Sequence, residues 1–159
     1  MRALGAALAL LAIAGPCSAS AHEVKAGDLT LSDLAVRASI GAVPTSAAYL
    51  TITNTGAKPD RLLSASCACA RSVMIHLTDM SGGMASMKSM GAVIIPVNGS
   101  VALKPGGMHL MVMGLKAPLK DGGMQEFTLH FERAGEVKAG FHIKSRIDQP
   151  MPPMAGMDH

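Results

Sequence analysis

Apolar residues recur at every second position of this chain, in short runs that glycine and proline interrupt. Phe127, Leu129 and Phe131 alternate with polar residues, and the segment 47–53 alternates in the same way. A period of two is that of a β-strand with one buried face, and no stretch shows a sustained helical period. With 17 glycines and 9 prolines available for turns, the pattern predicts about seven to nine short strands in one all-β, antiparallel β-sandwich.

The N-terminal residues form a separate targeting segment. Arg2 precedes an apolar run over 3–14, and the small residues 19–21 follow that run. This order predicts a signal peptide over 1–21, cleaved after Ala21, and export to a bacterial periplasm. The apolar run is too short to span a bilayer and no later run replaces it, so stable membrane insertion is not expected.

Cys17 raises the alternative of a lipid anchor. Pro16, directly before it, is a poor residue for lipoprotein processing. Cleavage at the later site is therefore the favoured interpretation.

The rest of the chain divides into one domain and a tail. Residues 22–147 carry the strand pattern, and a hydrophobic content of 49 % over the whole chain leaves ample material for a core. Residues 148–159 contain three prolines and lose the pattern, which predicts a flexible tail.

The charged residues exclude several classes of function. The formal net charge is +3, and Lys and Arg are scattered rather than gathered in a basic stripe with aromatic residues between them. Nucleic acid is therefore not an expected partner. The protein is expected to be a monomer. The sequence contains no recognisable phosphate loop, nucleophile elbow or pair of carboxylates in a plausible pocket, so we do not expect an enzyme.

Four residues in the middle of the chain could bind a soft metal ion. Ten residues separate His76 from Met87, and twenty-one separate Met87 from His109. Met111 follows His109 after one residue, so both would project from the same side of one strand. His76 lies opposite the apolar row of its own strand, and the glycine turn at 82–83 should return Met87 beside it.

Two imidazoles and two thioethers form a soft, uncharged ligand set. Thioether sulfur binds Cu(I) well and Zn²⁺, Mg²⁺ or Ca²⁺ poorly. It needs no deprotonation and cannot be lost to disulfide formation in an oxidising compartment. A blue-copper electron-transfer centre needs a cysteine ligand, and no cysteine falls within 76–111. The pattern therefore predicts a site that carries Cu(I) rather than one that cycles it.

The spacing of these four residues resembles the signature of the PCuAC family of periplasmic copper chaperones. The segment 104–116, KPGGMHLMVMGLK, resembles the most recognisable stretch of that family, and the similarity extends over about 29–147. The resemblance implies a cupredoxin-like, Greek-key β-sandwich that binds Cu(I) near its surface through the same four residues. It also implies delivery of copper to the copper-binding subunit of cytochrome c oxidase, alongside a thiol-bearing copper assembly factor.

Cys67 and Cys69 are not part of that family signature. In an extended strand their Cα atoms would be about 6.6 Å apart, so a bridge between them needs a bend. They could form a strained redox pair, bind a second Cu(I), or simply be two small buried residues.

Both ends of the mature chain offer further copper ligands. After cleavage His22 would present an amine and an imidazole together, a plausible chelate for Cu(II). The tail resembles extensions of some relatives, where such residues would recruit Cu(II) or add capacity; its candidates are Met151, Met154, Met157 and His159. His130 and His142 fall on outward strand positions, where solvated histidines are expected.

Two other functions fit parts of the sequence. A copper scavenger or resistance protein would bind most of its copper through the tail and need no specific acceptor. A thiol oxidoreductase would be centred on Cys67 and Cys69. The chaperone interpretation instead predicts one Cu(I) in the folded domain, passed on by ligand exchange.

Overall fold

The structure is a computed structural model that describes residues 22–147. The predicted signal peptide over 1–21 and the tail over 148–159, with its four candidate ligands, lie outside the described residues. Regular structure within 22–147 consists of β-strands alone, which confirms the all-β, single-domain prediction. No helix of this described part is long and apolar enough to cross a membrane.

Eleven strands follow one another along the described chain. The first five are β1 (Val24–Ala26), β2 (Leu29–Arg37), β3 (Thr45–Asn54), β4 (Asp60–Ser66) and β5 (Ala70–Asp79). The other six are β6 (Ser86–Met90), β7 (Val93–Ile95), β8 (Gly99–Leu103), β9 (Met108–Leu115), β10 (Met124–Phe131) and β11 (Gly135–Lys144). The number exceeds the predicted seven to nine in part because β1 has only three residues, too few to show alternation.

Hydrogen bonding joins these strands into a closed ring. The order round the ring is β2–β11–β10–β4–β5–β9–β3, and β3 pairs with β2 again. Strands β1, β8, β6 and β7 are added outside it, on β2, β3, β5 and β4 respectively. Among the described pairings, only β11 with β2 is parallel. The antiparallel sandwich expected from the sequence is thus present with a single parallel exception.

The inward faces of the strands fill one apolar core. Its largest fully buried side chains include Phe127, Phe141, Leu50, Ile52, Leu110 and Leu129. Burying each of these side chains contributes about 1.5–3 kcal/mol to stability. Because neighbouring residues of a strand point in opposite directions, burial of one side chain also orients the residues beside it. Burial of Ile75 thereby directs His76 to the outer face, and burial of Leu110 directs His109 and Met111 there.

Candidate metal centre

The two central histidines face each other across β5 and β9. His76 is directly opposite His109, and their ring centroids are 6.0 Å apart in an edge-to-face arrangement. Met111 is opposite Met74, which lies two residues before His76 on β5. Opposite residues on antiparallel strands share a face, as do residues two apart on one strand. His76, His109 and Met111 therefore lie together on the outer face.

Strand β6 brings the fourth candidate ligand to the same face. Met87 is directly opposite Thr78, two residues beyond His76 on β5. The chain reverses between β5 and β6 at Gly82 and Gly83, whose φ angles of 89° and 78° favour glycine. The Met87 side chain is 59 % exposed, so it forms the solvent side of the group.

The imidazole of His109 is buried and held in one orientation. Its Nδ1 lies 3.2 Å from the carbonyl oxygen of Gly107, and the ring is only 4 % exposed. A carbonyl only accepts hydrogen bonds, so Nδ1 donates this one, and Nε2 is the ring nitrogen left to face a metal ion. Nδ1 of His76 is the one buried side-chain nitrogen or oxygen of the described residues with no hydrogen-bond partner.

An open cavity of about 420 Å³ lies in front of three of the four candidate ligands, and His76 does not line it. Met87, His109 and Met111 contribute to its wall, together with Arg37 and Tyr49. An incoming side chain could therefore reach the thioethers and the buried imidazole from solvent.

Tyr49 is a site residue that the sequence alone did not single out. Its ring centroid lies 6.5 Å from that of His109, and burial raises the pKa of its hydroxyl while the positive charge of Arg37 opposes that rise. The sequence signal that could have found Tyr49 is its alternation with the core residues of β3, which places it on the outer side of that strand. An aromatic residue buried on an outer face must be covered by neighbouring side chains.

The donor types determine which metals fit. Within residues 22–147, no three His, Cys, Asp or Glu side chains come together as a metal-binding group. On the face of β5, β6 and β9, the donors at hand are the imidazoles of His76 and His109 and the thioethers of Met87 and Met111. Such a mixed set suits Cu(I) far better than Zn²⁺ or Mg²⁺.

Asp79 stabilises the β5–β6 hairpin and makes no hydrogen bond to His76. Its carboxylate accepts hydrogen bonds from the backbone N–H and hydroxyl of Ser81, and it lies 2.6 Å from Nζ of Lys88. The bond from Lys88, with those from Ser81, lowers the pKa of Asp79 to about 2. Its partners are thus Ser81 and Lys88, and it does not orient His76 in this structure.

Cys67 and Cys69 form a disulfide in the turn between β4 and β5. Their Cα atoms are 5.1 Å apart, closer than in an extended strand, so the chain bends there as a bridge requires. Both residues pack against the core. In this form neither sulfur is a free thiolate that could bind Cu(I).

His22 lies away from the central group, just before β1. Its ring packs against that of His142 on β11, with centroids 5.1 Å apart. His142 is thus half-buried in a histidine pair rather than fully solvated.

Comparison with known sequences assigns most of this domain to one family. The sequence model of the LpqE-like family of lipoproteins matches residues 29–143. A protein of Leifsonia xyli subsp. xyli (strain CTCB07) named as a lipoprotein, Lxx21020, is 32 % identical over 137 residues, which cover 82 % of this chain and 81 % of that protein.

Solved structures with the same fold include copper-binding domains. The copper-bound PCuAC domain from PmoF2 superposes with a TM-score of 0.69 at 26 % identity, covering 79 % of this chain and 99 % of that domain. The solution structure of Cu(I)-bound DR1885 from Deinococcus radiodurans gives a TM-score of 0.60 at 36 % identity, covering 72 % of this chain and 77 % of that one. The cupredoxin-like fold expected from the sequence is the fold of this chain.

Proposed function

The chain belongs to the LpqE-like, PCuAC-type family, and we propose that it is an exported copper chaperone whose cargo is Cu(I). The cargo would be bound by His76, Met87, His109 and Met111. This function requires no reaction at the protein, so the protein is a carrier and not an enzyme.

One observation carries the proposal: soft donors from three strands converge on one outer face. The residues of β5, β6 and β9 are in register there, and an open cavity gives access to Met87, His109 and Met111. Buried Nδ1 of His76 lacks a partner among residues 22–147, and such an atom costs about 1–3 kcal/mol when unsatisfied. A bound metal ion, or an imidazole rotation that a metal ion induces, would remove that cost.

Ligand exchange follows from the unequal exposure of the donors. His109 is buried and fixed by Gly107, so it would hold Cu(I) until the last step. Met87 is the exposed donor, and a thiolate or thioether of the acceptor could add to the metal as Met87 leaves. Because Cu(I) gains one ligand before it loses another, it need never be released into solution.

The family suggests where the copper goes. We infer delivery to the copper centre of cytochrome c oxidase in the periplasm, directly or with a thiol-bearing assembly factor. Relatives named as lipoproteins support an exported, envelope-associated protein. Under this proposal the signal peptide over 1–21 is removed and the monomeric mature protein acts in that compartment.

Anaerobic Cu(I) titration of the mature protein against a competing chelator tests the binding site. The variant Met87→Leu/Met111→Leu removes both thioethers while nearly conserving apolar volume. We expect one tight equivalent in the natural protein and a loss of about a hundredfold or more in the variant, since each tenfold corresponds to about 1.4 kcal/mol. Met113→Leu, two residues beyond Met111 on β9, is the matched control and should bind normally.

Equal affinity in the double variant and the natural protein would overturn the four-ligand site. Transfer is then tested separately, by mixing the Cu(I)-loaded protein with the apo copper-binding domain of cytochrome c oxidase. Movement of copper to that domain is expected. Retention on the donor would remove the oxidase as the acceptor while leaving the binding site intact.

A further inference from the structure

A row of side chains crosses the outer face from the central histidines to a second histidine pair. Tyr49 packs beside His109 and is opposite Ala35 of β2. Ala35 is in turn in register with His142 of β11. Neighbouring strands lie about 4.8 Å apart, so His142, three strands from His109, is roughly 14 Å away. A metal ion cannot be shared over that distance, so any metal at His142 needs its own ligands.

His22 supplies the first of those ligands. The rings of His22 and His142 have centroids 5.1 Å apart and are tilted by 48°. Strand β3 occupies one edge of β2, so β1 and β11 follow each other along its other edge, which brings His22 next to His142. Imidazole nitrogens bind metals at about 2 Å, so rings this close can converge on one ion after small side-chain rotations.

The third ligand can come from the chain terminus. No Asp, Glu or Cys completes a group of three with these two histidines in the described part of the chain. His22 is, however, the residue that follows the predicted cleavage site after Ala21. Cleavage there would place a free α-amine on the same residue as one of the two imidazoles.

We propose that His22 and His142 form a second copper site, which binds Cu(II) through the two imidazoles and the α-amine of His22. Three nitrogen donors make a harder site than the His and Met group on β5, β6 and β9. Among divalent first-row metals Cu²⁺ binds such donors most tightly, and it favours a tetragonal arrangement of them. The domain therefore carries two sites of different softness on one face, one for each oxidation state of copper.

Cu(II) titration with electron paramagnetic resonance tests this site. The full gene is expressed with its own leader, and the exported protein is loaded with one equivalent of Cu(II). We expect an N-terminus at His22 by mass spectrometry and hyperfine coupling to three nitrogens. His142→Gln should weaken Cu(II) binding about tenfold or more in competition with nitrilotriacetate. His130→Gln, on the outer face of β10, is the control and should not change it.

A second variant tests the amine without altering the folded domain. Five Gly/Ser residues inserted before His22 move the amine away from its imidazole, and they should also weaken Cu(II) binding about tenfold or more. Unchanged affinity in either the insertion or His142→Gln overturns the proposed ligand set, as does an exported chain that begins elsewhere than His22. His142→Gln should still bind one Cu(I) tightly, so this result is independent of the central site.

Discussion

The four proposed copper ligands differ in how firmly packing holds them. His109 is 4 % exposed and hydrogen-bonded to Gly107, whereas Met87 is 59 % exposed. A buried, oriented donor contributes affinity because little freedom is lost when the metal binds. Under the proposed function, the exposed methionine would contribute less affinity and would control how quickly the metal leaves.

This difference predicts unequal effects of two single substitutions. Met87→Leu should lower Cu(I) affinity by about tenfold and accelerate transfer to an acceptor, because one exposed ligand no longer has to be displaced. His109→Gln should lower affinity by about a hundredfold or more. Competition titrations and stopped-flow transfer measure the two quantities. Slower transfer from Met87→Leu would contradict the role of Met87 as the first donor to leave.

Leu110 packs in the core between two of the proposed metal ligands. It is fully buried between His109 and Met111 on β9, and its side chain fills the interior. Leu110→Ala should lower the free energy of unfolding by about 2–5 kcal/mol, as expected for a large-to-small change in a packed core. Urea unfolding checks this value. Ile94→Ala, at a side chain that is 65 % exposed, should change stability by no more than about 0.5 kcal/mol.

An exposed ion pair lies at the turn end of the β5–β6 hairpin. Asp79 and Lys88 are joined at 2.6 Å, and this contact holds β6, with Met87, against β5. The folded pKa of Asp79, about 2, is below its ordinary value of 3.8. Its contribution to stability is therefore fully present above the ordinary value and is lost as the pH falls through about 2.

An NMR titration of the Asp79 carboxyl between pH 5 and 1 checks this expectation. We expect its midpoint near 2 in the natural protein. In Lys88→Met the largest cause of the lowered pKa is absent, so the midpoint should rise toward the ordinary value. An ordinary midpoint in the natural protein would mean that the hairpin is not held by this pair in solution.

Alternation within a strand predicts faces but not partners. It was enough to place His109 and Met111 on one side of β9 and to set His76 against an apolar row. The pairing of His76 with His109 depends on the register of two strands far apart in sequence. That register comes from the packing of the whole core, which local patterns do not contain. The pairing of His22 with His142, and the place of Tyr49 beside His109, depend on tertiary structure in the same way.

Strand β5 runs from the disulfide to the region of His76. His76 lies near one end, and the disulfide of Cys67 and Cys69 directly precedes the other. His76 is the seventh residue after Cys69 along this extended chain, a distance of roughly 23 Å. The disulfide is therefore too far from the proposed copper site to exchange ligands with it.

This separation predicts that copper transfer does not need the cysteines. In the double variant Cys67→Ser/Cys69→Ser, Cu(I) affinity and the rate of transfer to the oxidase domain should equal those of the natural protein. The bridge closes a loop of only three residues, for which the chain-entropy relation gives about 1.6 kcal/mol. Urea unfolding should show a loss of that size or smaller. Loss of transfer in a folded double variant would instead favour a thiol oxidoreductase, since only a reaction at the sulfur atoms could then connect the distant turn to function.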